Sequence, residues 1–546
     1  MRFLKSAAPP ATPSPIDTSN PASNSDNTKD GVTHEEVISP TSTATASKWT
    51  FSRGDGDTAA ALFREPGEIH EPHDPEEEKR LVRKIDYMIL PYLAVCYAFF
   101  YIDKTTLSYA AIFGIRDDLN LVGTQYNWLS SIFYFGFLAW AFPTNFMLQR
   151  FPVGKYLGFN IFLWGVLLMA QAGASNFGTL AALRALSGAA EACADPAFML
   201  ITSMWYTRRQ QPVRIGLWYT ANGFGIALGG LLGYGIGQIK GALPSWKYEF
   251  LIIGGKPWSI SLCCSWGIVM FIMLPDSPVT APMLNQREKR LAVERLRENQ
   301  TGVENKHFKA YQVAEAFKDP KTYLLFTIGL IANTPNGGIS NFGTIIIKGF
   351  GYSTLVTTLL QMPYGFLIAL SILSCVYLND YCAVKLKKNT RCWFIIAYLI
   401  PNIAGTFGLR FVPQEHHVGR LWCYYLTGPY NAAFVLILSL TIGNTAGHTK
   451  KVVTNACLFL GYCTGNIAGP FFFKTEQQPT YPLGIWSMIV CHLTEVVLIL
   501  IFRTLLSREN KRRDRKFGEG VTVQDLDATA FGDLTDWENE NFRYVY

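Results

Sequence analysis

Apolar stretches long enough to cross a lipid bilayer recur about twelve times along this chain of 546 residues. The composition agrees with this pattern, since 49% of the residues are hydrophobic and only 16% are charged. A stretch of roughly 20 predominantly apolar residues is typical of a helix that spans ~30 Å of hydrocarbon. The sequence therefore predicts an all-α membrane protein. The expected spans lie near 87–112, 126–148, 155–175, 178–205, 214–239, 250–274, 322–347, 355–378, 391–411, 420–443, 452–473 and 481–503.

A long polar break divides these spans into two groups of six. It contains the charged amphipathic stretch NQREKRLAVERLREN, which is too polar to cross a membrane. Transporters often place a binding site near the middle of the membrane between two such groups. The expected segments are a disordered tail (1–80), an N-terminal six-helix half (81–274), a cytosolic linker (275–321), a C-terminal six-helix half (322–505) and a cytosolic C-terminal tail (506–546).

Lysines and arginines are concentrated in the segments on one side of the predicted spans, including the linker and the run SRENKRRDRK after the last span. The positive-inside rule places this side in the cytosol, and both termini with it. The first 15 residues lack the apolar core of a cleavable signal peptide, so we expect the first span to insert the chain. The same bias explains the net charge of +7, and we predict no nucleic-acid partner.

The fourth span carries three ionisable residues, Arg184, Glu191 and Asp195. At ~100° per residue, Glu191 lies about 20° from Arg184 around the helix, and Asp195 about 20° to the other side. Charges in hydrocarbon cost several kcal/mol unless they face a protein interior or a wet cavity. The shared face therefore predicts a pathway in which Arg184 holds an anion and Glu191 exchanges a proton. The alternative is a structural ion pair between Arg184 and Glu191.

Two further charges, Asp103 and Lys104, lie in the first span. The apolar sequence continues after them, which favours an internal position, although they could instead mark the membrane interface. Asp195 precedes Pro196, which breaks helical hydrogen bonds. This acid could cap a broken helix, titrate or contact substrate, and the structural role ranks first.

Asparagines within the spans are further candidates for substrate contacts. Asn222 lies within the fifth span, directly before a glycine-rich stretch whose glycines favour close helix packing. The seventh span contains Asn333, the run Pro335-Asn336-Gly337-Gly338 and Asn341, a pattern that predicts a broken helix. Exposed backbone at such a break can bind a ligand. Asn466 precedes a Gly-Pro pair in the eleventh span, which likewise predicts a helix break whose exposed backbone can bind a ligand.

A series of stretches between about residues 80 and 505 resembles the allantoate permease-type branch of the fungal anion:cation symporters, within the major facilitator superfamily. They are RKIDYMILPYL, YIDKTTLSYAA, LRALSGAAEACADPAF, SMWYTRRQQPVR, NGFGIALGGLLGYGIG, PNGGISNFGT, NTAGHTKKVVTNA and GYCTGNIAGP.

This resemblance implies the major facilitator fold and proton-coupled uptake of a small organic anion by alternating access. It implies that Asp103 and Glu191 couple protons and that Lys104 and Arg184 bind substrate. Asn466 would help to hold the substrate. We keep the asparagines of the fifth and seventh spans as further substrate-binding candidates.

The chain departs from the family pattern in three places. The first-span pair is commonly Asp-Arg, whereas Lys104 supplies a point charge in place of a planar fork. The loop after the second span reads PTNFMLQRFPVGKY and lacks the usual glycine-rich motif with an aspartate. Asp195 lies outside the family pattern and is assigned a gating or structural role, as is Asp380 after the eighth span.

We therefore predict a monomeric plasma-membrane transporter that contacts the lipid bilayer and carries a small organic anion with protons. Allantoate or another ureido acid, nicotinate, pantothenate and related carboxylates are the candidate substrates. No cofactor or metal is expected, and the chain lacks the HExxH and GxSxG motifs of enzymes. The alternative is a transporter-like nutrient receptor that signals through its cytosolic tails.

Overall fold

The computed structural model describes residues 75–207, 210–254, 262–297, 309–386, 389–517, 534–539 and 542–546. Within these ranges the regular secondary structure is helical, and no β-strand occurs. The expected disordered tail lies outside the described residues except at its end, because the first helix begins at Pro75.

The helices before the linker follow the first group of predicted spans. They are α1 (Pro75–Ile112), α2 (Ile115–Asp118), α3 (Gln125–Arg150), α4 (Val153–Gln171), α5 (Phe177–Glu191), α6 (Ala194–Trp205), α7 (Gln211–Tyr219), α8 (Ala221–Gly237), α9 (Ser245–Gly254) and α10 (Leu262–Met273).

The linker contributes two short helices, and the second group of spans follows. These helices are α11 (Gln286–Arg297), α12 (Ala310–Lys318), α13 (Pro320–Lys348), α14 (Thr354–Leu359), α15 (Gln361–Leu386), α16 (Arg391–Phe411), α17 (His417–Tyr425), α18 (Tyr430–Gly443), α19 (His448–Ala468) and α20 (Pro482–Phe517). Two 3₁₀ helices lie between α19 and α20, at Gly469–Phe472 and Thr475–Gln477.

Eight stretches of the described chain are long and apolar enough to cross a membrane. Four expected spans do not meet that criterion. The stretch near 178–205 is divided between α5 and α6, and the one near 250–274 includes residues outside the described ranges. The other two, α13 and α19, are helices of 29 and 21 residues with more polar sequences. The eight are Glu76–Ile112, Gln125–Leu148, Val153–Gln171, Val213–Gly237, Thr354–Ala383, Arg391–Phe411, His417–Gly443 and Pro482–Lys516.

The two groups of helices pair in the same order. In the first group α1 packs on α8, α3 on α5 and α4 on α10. In the second group α13 packs on α19, α15 on α18 and α16 on α20. The groups meet through α8 with α15, α1 with α13 and α3 with α19. We call the end of the bundle beside α11 and α12 the linker end, and the opposite end the far end.

Glycines allow the closest of these approaches. A Cβ atom added at Gly188 of α5 would lie 1.9 Å from the backbone oxygen of Phe133, and one at Gly136 of α3 would lie 1.9 Å from that of Ala185. The two backbones are therefore in direct contact, and any larger residue would push the helices apart.

The prediction of a broken seventh span is wrong, because α13 runs unbroken through Pro335. Neighbouring side chains add bonds to the carbonyls of this region. Asn333 donates to the Gly329 oxygen at 2.8 Å and Thr334 to the Leu330 oxygen at 2.9 Å. The fourth span does break, between Glu191 and Ala194, directly before Pro196.

The described C-terminal residues, 534–539 and 542–546, fold back onto the linker end. Asp536 is fully buried and forms ion pairs with Lys321 of α13 and, at 2.7 Å, with Lys450 of α19. Arg513 of α20 donates to the backbone oxygens of Asp536 and Phe542 at 2.8 and 2.9 Å. We call these residues the tail segment.

Candidate functional site

A small polar cavity lies between the two groups of helices. Its volume is about 20 Å³, enough for about one water molecule. Four amide side chains and four tyrosines contribute to its wall, so it is rich in hydrogen-bonding groups. The residues from the first group are Tyr101, Lys104, Thr105, Ser108, Asn222 and Ile226. Those from the second are Asn336, Ile339, Ser340, Thr344, Gln361, Tyr364, Ile368, Tyr424, Tyr430 and Asn431.

Lys104 is the one charged residue in this wall. Its ammonium donates to the hydroxyl of Tyr462 on α19 at 3.1 Å and lies 4.7 Å from the ring centroid of Tyr101. Within the described part of the chain, no carboxylate forms an ion pair with Lys104. The arrangement leaves a cation that is held by aromatic groups and open to an anion in the cavity.

Asp103 points to the other side of α1 and binds Arg184 of α5. The distance from its Oδ1 to the guanidinium Nη1 is 3.6 Å, and both side chains are buried. Trp164 of α4 donates to the Oδ2 of Asp103 at 3.1 Å. Three helices of the first group therefore converge on one buried carboxylate, as expected for a charge that is paired and hydrogen-bonded.

Glu191 ends α5 and lies behind the cavity wall, with only 5% of its surface exposed. Its Oε2 has no hydrogen-bond partner among the described residues. Its charged neighbours are Lys104, Asp103, Asp195 and Arg184. The alternative ion pair between Arg184 and Glu191 is not formed, because Arg184 pairs with Asp103.

The two acids that the sequence assigns to gating or structure lie in different surroundings. Asp195 falls in the first turn of α6, where the positive end of a helix dipole favours an acid, and Lys104 is its charged neighbour. Asp380 is exposed near the linker end of α15 and interacts with Arg391 of α16. The structure therefore separates Asp380 from the cavity.

Paired amides join the cavity wall across and within the two groups. Asn222 donates to the Oδ1 of Asn431 on α18 at 2.9 Å, which links the groups directly. Asn336 donates to the Oδ1 of Asn466 at 3.0 Å and accepts the hydroxyl of Tyr430 at 2.6 Å. Asn466 thus supports the wall from behind and does not line the cavity.

Asn341 also lies outside the cavity wall. Its amide donates to the Gly337 oxygen of its own helix at 2.8 Å. The sequence analysis did not assign Asn336 or Asn431 to substrate binding. Asn336 follows Pro335 and Asn431 lies two residues after Pro429, and a polar amide near a proline within an apolar stretch is a signal that could have found both.

Hydrogen bonds between the two groups close the far end of the bundle. Asn127 at the start of α3 donates to the Pro470 oxygen at 2.6 Å, and Ser131 donates to the Ile467 oxygen at 2.8 Å. Tyr126 donates to the backbone oxygen of Asn341 at 2.9 Å. At the linker end, α11 packs on α1 and α6, whereas α12 packs on α13 and α19. The hydrogen bonds of Asn127, Ser131 and Tyr126 therefore join the groups at the far end, whereas α7 packs on α15 and α18 toward the linker end.

Comparison with known proteins agrees with this architecture. The family model described as "Major Facilitator Superfamily" matches residues 93–470. An uncharacterized transporter of Schizosaccharomyces pombe is 38% identical over 86% of this chain and 86% of its own. The allantoate permease of Saccharomyces cerevisiae is 34% identical over 94% of each chain.

Among solved structures, a bacterial homolog of the human lysosomal transporter Spinster has the same fold. Its TM-score is 0.53 at 13% sequence identity, and the match covers 79% of this chain and 96% of the other. At this identity the likeness concerns the fold alone.

Proposed function

The chain belongs to the Major Facilitator Superfamily and is a multi-pass membrane transporter, and from this premise we propose that it carries a small organic anion together with protons. The candidate substrates are allantoate or another ureido acid, nicotinate, pantothenate and similar carboxylates. The observation that carries the proposal is Lys104, the single charge in a cavity formed by both groups of helices.

The cavity wall supports the substrate class. A carboxylate would replace Tyr462 or join it as the partner of the Lys104 ammonium, since charge-assisted hydrogen bonds are stronger than neutral ones. The amides of Asn222, Asn336 and Asn431 could then bind the polar groups of a ureido or amide substrate. In this scheme Asn466 acts indirectly, because it holds Asn336 in the cavity wall. Asn341 also acts indirectly, through its hydrogen bond to the backbone of α13.

Glu191 supports coupling to protons. When Glu191 is ionised, its charge competes with a substrate anion for Lys104, and protonation removes that competition. Substrate and proton would then favour each other's binding, which is the thermodynamic requirement for coupling. We assign Asp103 as a second acid, whose proton exchange would release Arg184 for the anion.

Transport requires that the cavity open alternately to each side. The far-end bonds of Asn127 and Ser131 would break in one half of the cycle, and the linker end would close. We propose that the linker end faces the cytosol, together with both termini, that the membrane is the plasma membrane and that the protein acts as a monomer. Asp195 and Asp380 would then lie toward the cytosolic gate.

Uptake into proteoliposomes tests the proposal. A panel of labelled carboxylates is measured with and without an inward proton gradient, and uptake that ignores the gradient would refute symport. Glu191→Gln should abolish accumulation and spare exchange, whereas Lys104→Gln should weaken substrate binding tenfold or more. Glu415→Gln, an exposed acid beside α17, is the matched control and should leave both unchanged. Normal accumulation in Glu191→Gln would remove this acid from the mechanism.

A further inference from the structure

A second and much larger groove lies on the outside of the bundle at the linker end. Its volume is about 1040 Å³, and its walls come from the start of α13, the second half of α20 and the tail segment. The residues that line it are Asp319, Pro320, Lys321, Val497, Leu500, Ile501, Thr504, Leu505, Arg508, Glu509, Arg512, Arg513, Trp537 and Tyr544.

The α20 wall changes from apolar to cationic along one face of the helix. Val497, Ile501, Leu505, Arg508 and Arg512 follow one another at intervals of three or four residues, which places them on the same side. At 1.5 Å per residue, the stripe from Val497 to Arg512 is about 22 Å long. Apolar and then cationic surface over this length matches the acyl chain and headgroup of a phospholipid.

The apolar part of the stripe faces outward. Val497, Leu500 and Ile501 are 54%, 38% and 46% exposed, so in a membrane they contact lipid. The apolar sequence of α20 ends at Leu506, and Arg508 and Arg512 follow where hydrocarbon gives way to headgroups.

The cationic part of the groove carries more positive than negative charge. Arg512 and Arg513 share the single carboxylate of Glu509, at 2.9 and 3.1 Å. Arg508 is exposed, and no acid among the described residues forms an ion pair with it. Lys321 is already neutralised by Asp536. Guanidinium groups whose charge is not fully compensated are suited to a phosphate, which they can bind through two hydrogen bonds.

The tail segment completes the groove. Trp537 is 45% exposed at its edge, and tryptophan is typical of the membrane interface. Its ring lies 4.7 Å from the ammonium of Lys450, which fixes it against the bundle. The groove therefore depends on the folded-back C-terminus.

We propose that this groove binds a phospholipid with an anionic headgroup, whose phosphate contacts Arg508 and Arg512 and whose acyl chains lie along Val497, Leu500 and Ile501. Basic pockets beside the ends of membrane helices are suited to such headgroups on the cytosolic side. The inference does not depend on the transported substrate.

The test measures lipid binding to the purified full-length chain by native mass spectrometry. The probes are dioleoyl phosphatidylserine and dioleoyl phosphatidylcholine, which share their acyl chains. We expect phosphatidylserine to bind about 30-fold more tightly, since each of the two interfacial arginines contributes about fivefold. Arg508→Gln with Arg512→Gln should abolish this preference, because it weakens the binding of phosphatidylserine much more than that of phosphatidylcholine.

The matched control is Lys511→Gln with Arg515→Gln, which removes the same charge from exposed positions of α20 outside the groove. This pair should keep the preference, and an equal loss in both double variants would overturn the proposal. Equal binding of the two lipids to the unaltered chain would also overturn it. Glycerophosphoserine, the headgroup without acyl chains, should bind far more weakly, and equally tight binding would show a free-anion site instead.

Discussion

The substitution Asp536→Asn tests the docking of the tail segment most directly. The carboxylate pairs with Lys321 and Lys450 and accepts the hydroxyl of Tyr544 at 2.7 Å. Asp319 also contacts both lysines, at 3.3 and 3.0 Å. Asparagine preserves the shape of the side chain and one acceptor but removes the charge from a fully buried position.

The expected cost follows from this network. Removing one member of a buried ion pair costs about 3–5 kcal/mol, because the partner charge is left uncompensated. Here Lys450 keeps Glu315 and Asp319, and Lys321 keeps Asp319, so the lower limit applies. A loss of about 3 kcal/mol raises the undocked fraction about 150-fold.

Hydrogen exchange of the C-terminal peptide measures this fraction. The amides of Tyr544 and Val545 donate to Asn510 and Asn444 when the segment is docked, at 2.9 and 2.8 Å. Their exchange should accelerate by about the same factor in Asp536→Asn. Asp514→Asn is the control, because Asp514 is 62% exposed in its ion pair with Arg543 and such pairs contribute little. Unchanged exchange in Asp536→Asn would refute the assigned role of the buried charges.

The same cluster predicts how docking depends on pH. Burial alone would raise the pKa of Asp536, but the charges of Lys321 and Lys450 hold it below the usual value. Its contribution is therefore complete above the unfolded pKa of about 3.9 and is lost as the pH falls through the lower folded value. Burial lowers the pKa of Lys450, but Asp536 and Asp319 outweigh it and raise the pKa. Protection from exchange should thus stay constant from about pH 5 to 10.

Two further predictions concern the helix packing. Gly188→Ala should lower the melting temperature markedly, because its Cβ would lie 1.9 Å from a backbone oxygen, whereas Gly235→Ala has open space and should be neutral or slightly stabilising. An equal effect of the two would contradict the contact between α3 and α5. Asn127→Ala should weaken the far-end closure by about 1 kcal/mol, or roughly fivefold in population. In a distance distribution between spin labels at Val122 and Glu476, the population at longer distances should then increase. An unchanged distribution would show that the bond from Asn127 to the Pro470 oxygen does not hold the far end closed.

Much of the fold could be predicted from the sequence because hydrocarbon imposes a simple rule. A bilayer selects long apolar segments whatever their neighbours, so the helices and the polar linker are visible in the composition of each stretch. The amphipathic stretch of the linker is helix α11, as expected. The cost of burying charge likewise marked Asp103, Lys104, Arg184 and Glu191 as internal residues.

The partners of these charges were decided by the tertiary structure. Spacing along one helix placed Arg184 beside Glu191, but the guanidinium binds Asp103 on a neighbouring helix, and Lys104 faces the cavity alone among charged residues. Asn431 joins the wall for the same reason, since its contact with Asn222 spans 209 positions in the sequence.

Pro335 and the C-terminus show the same division between what the sequence predicts and what the tertiary structure decides. A proline removes one helical hydrogen bond in any context, but the unbroken α13 depends on its surroundings in the folded bundle. The sequence predicts only a cytosolic tail over 506–546, and it is the meeting of Lys321 and Lys450 that gives Asp536 a buried site. The sequence by itself determined which segments leave water and which charges are expensive to bury. The tertiary structure decided which groups compensate them, because that depends on distances between helices that no local pattern encodes.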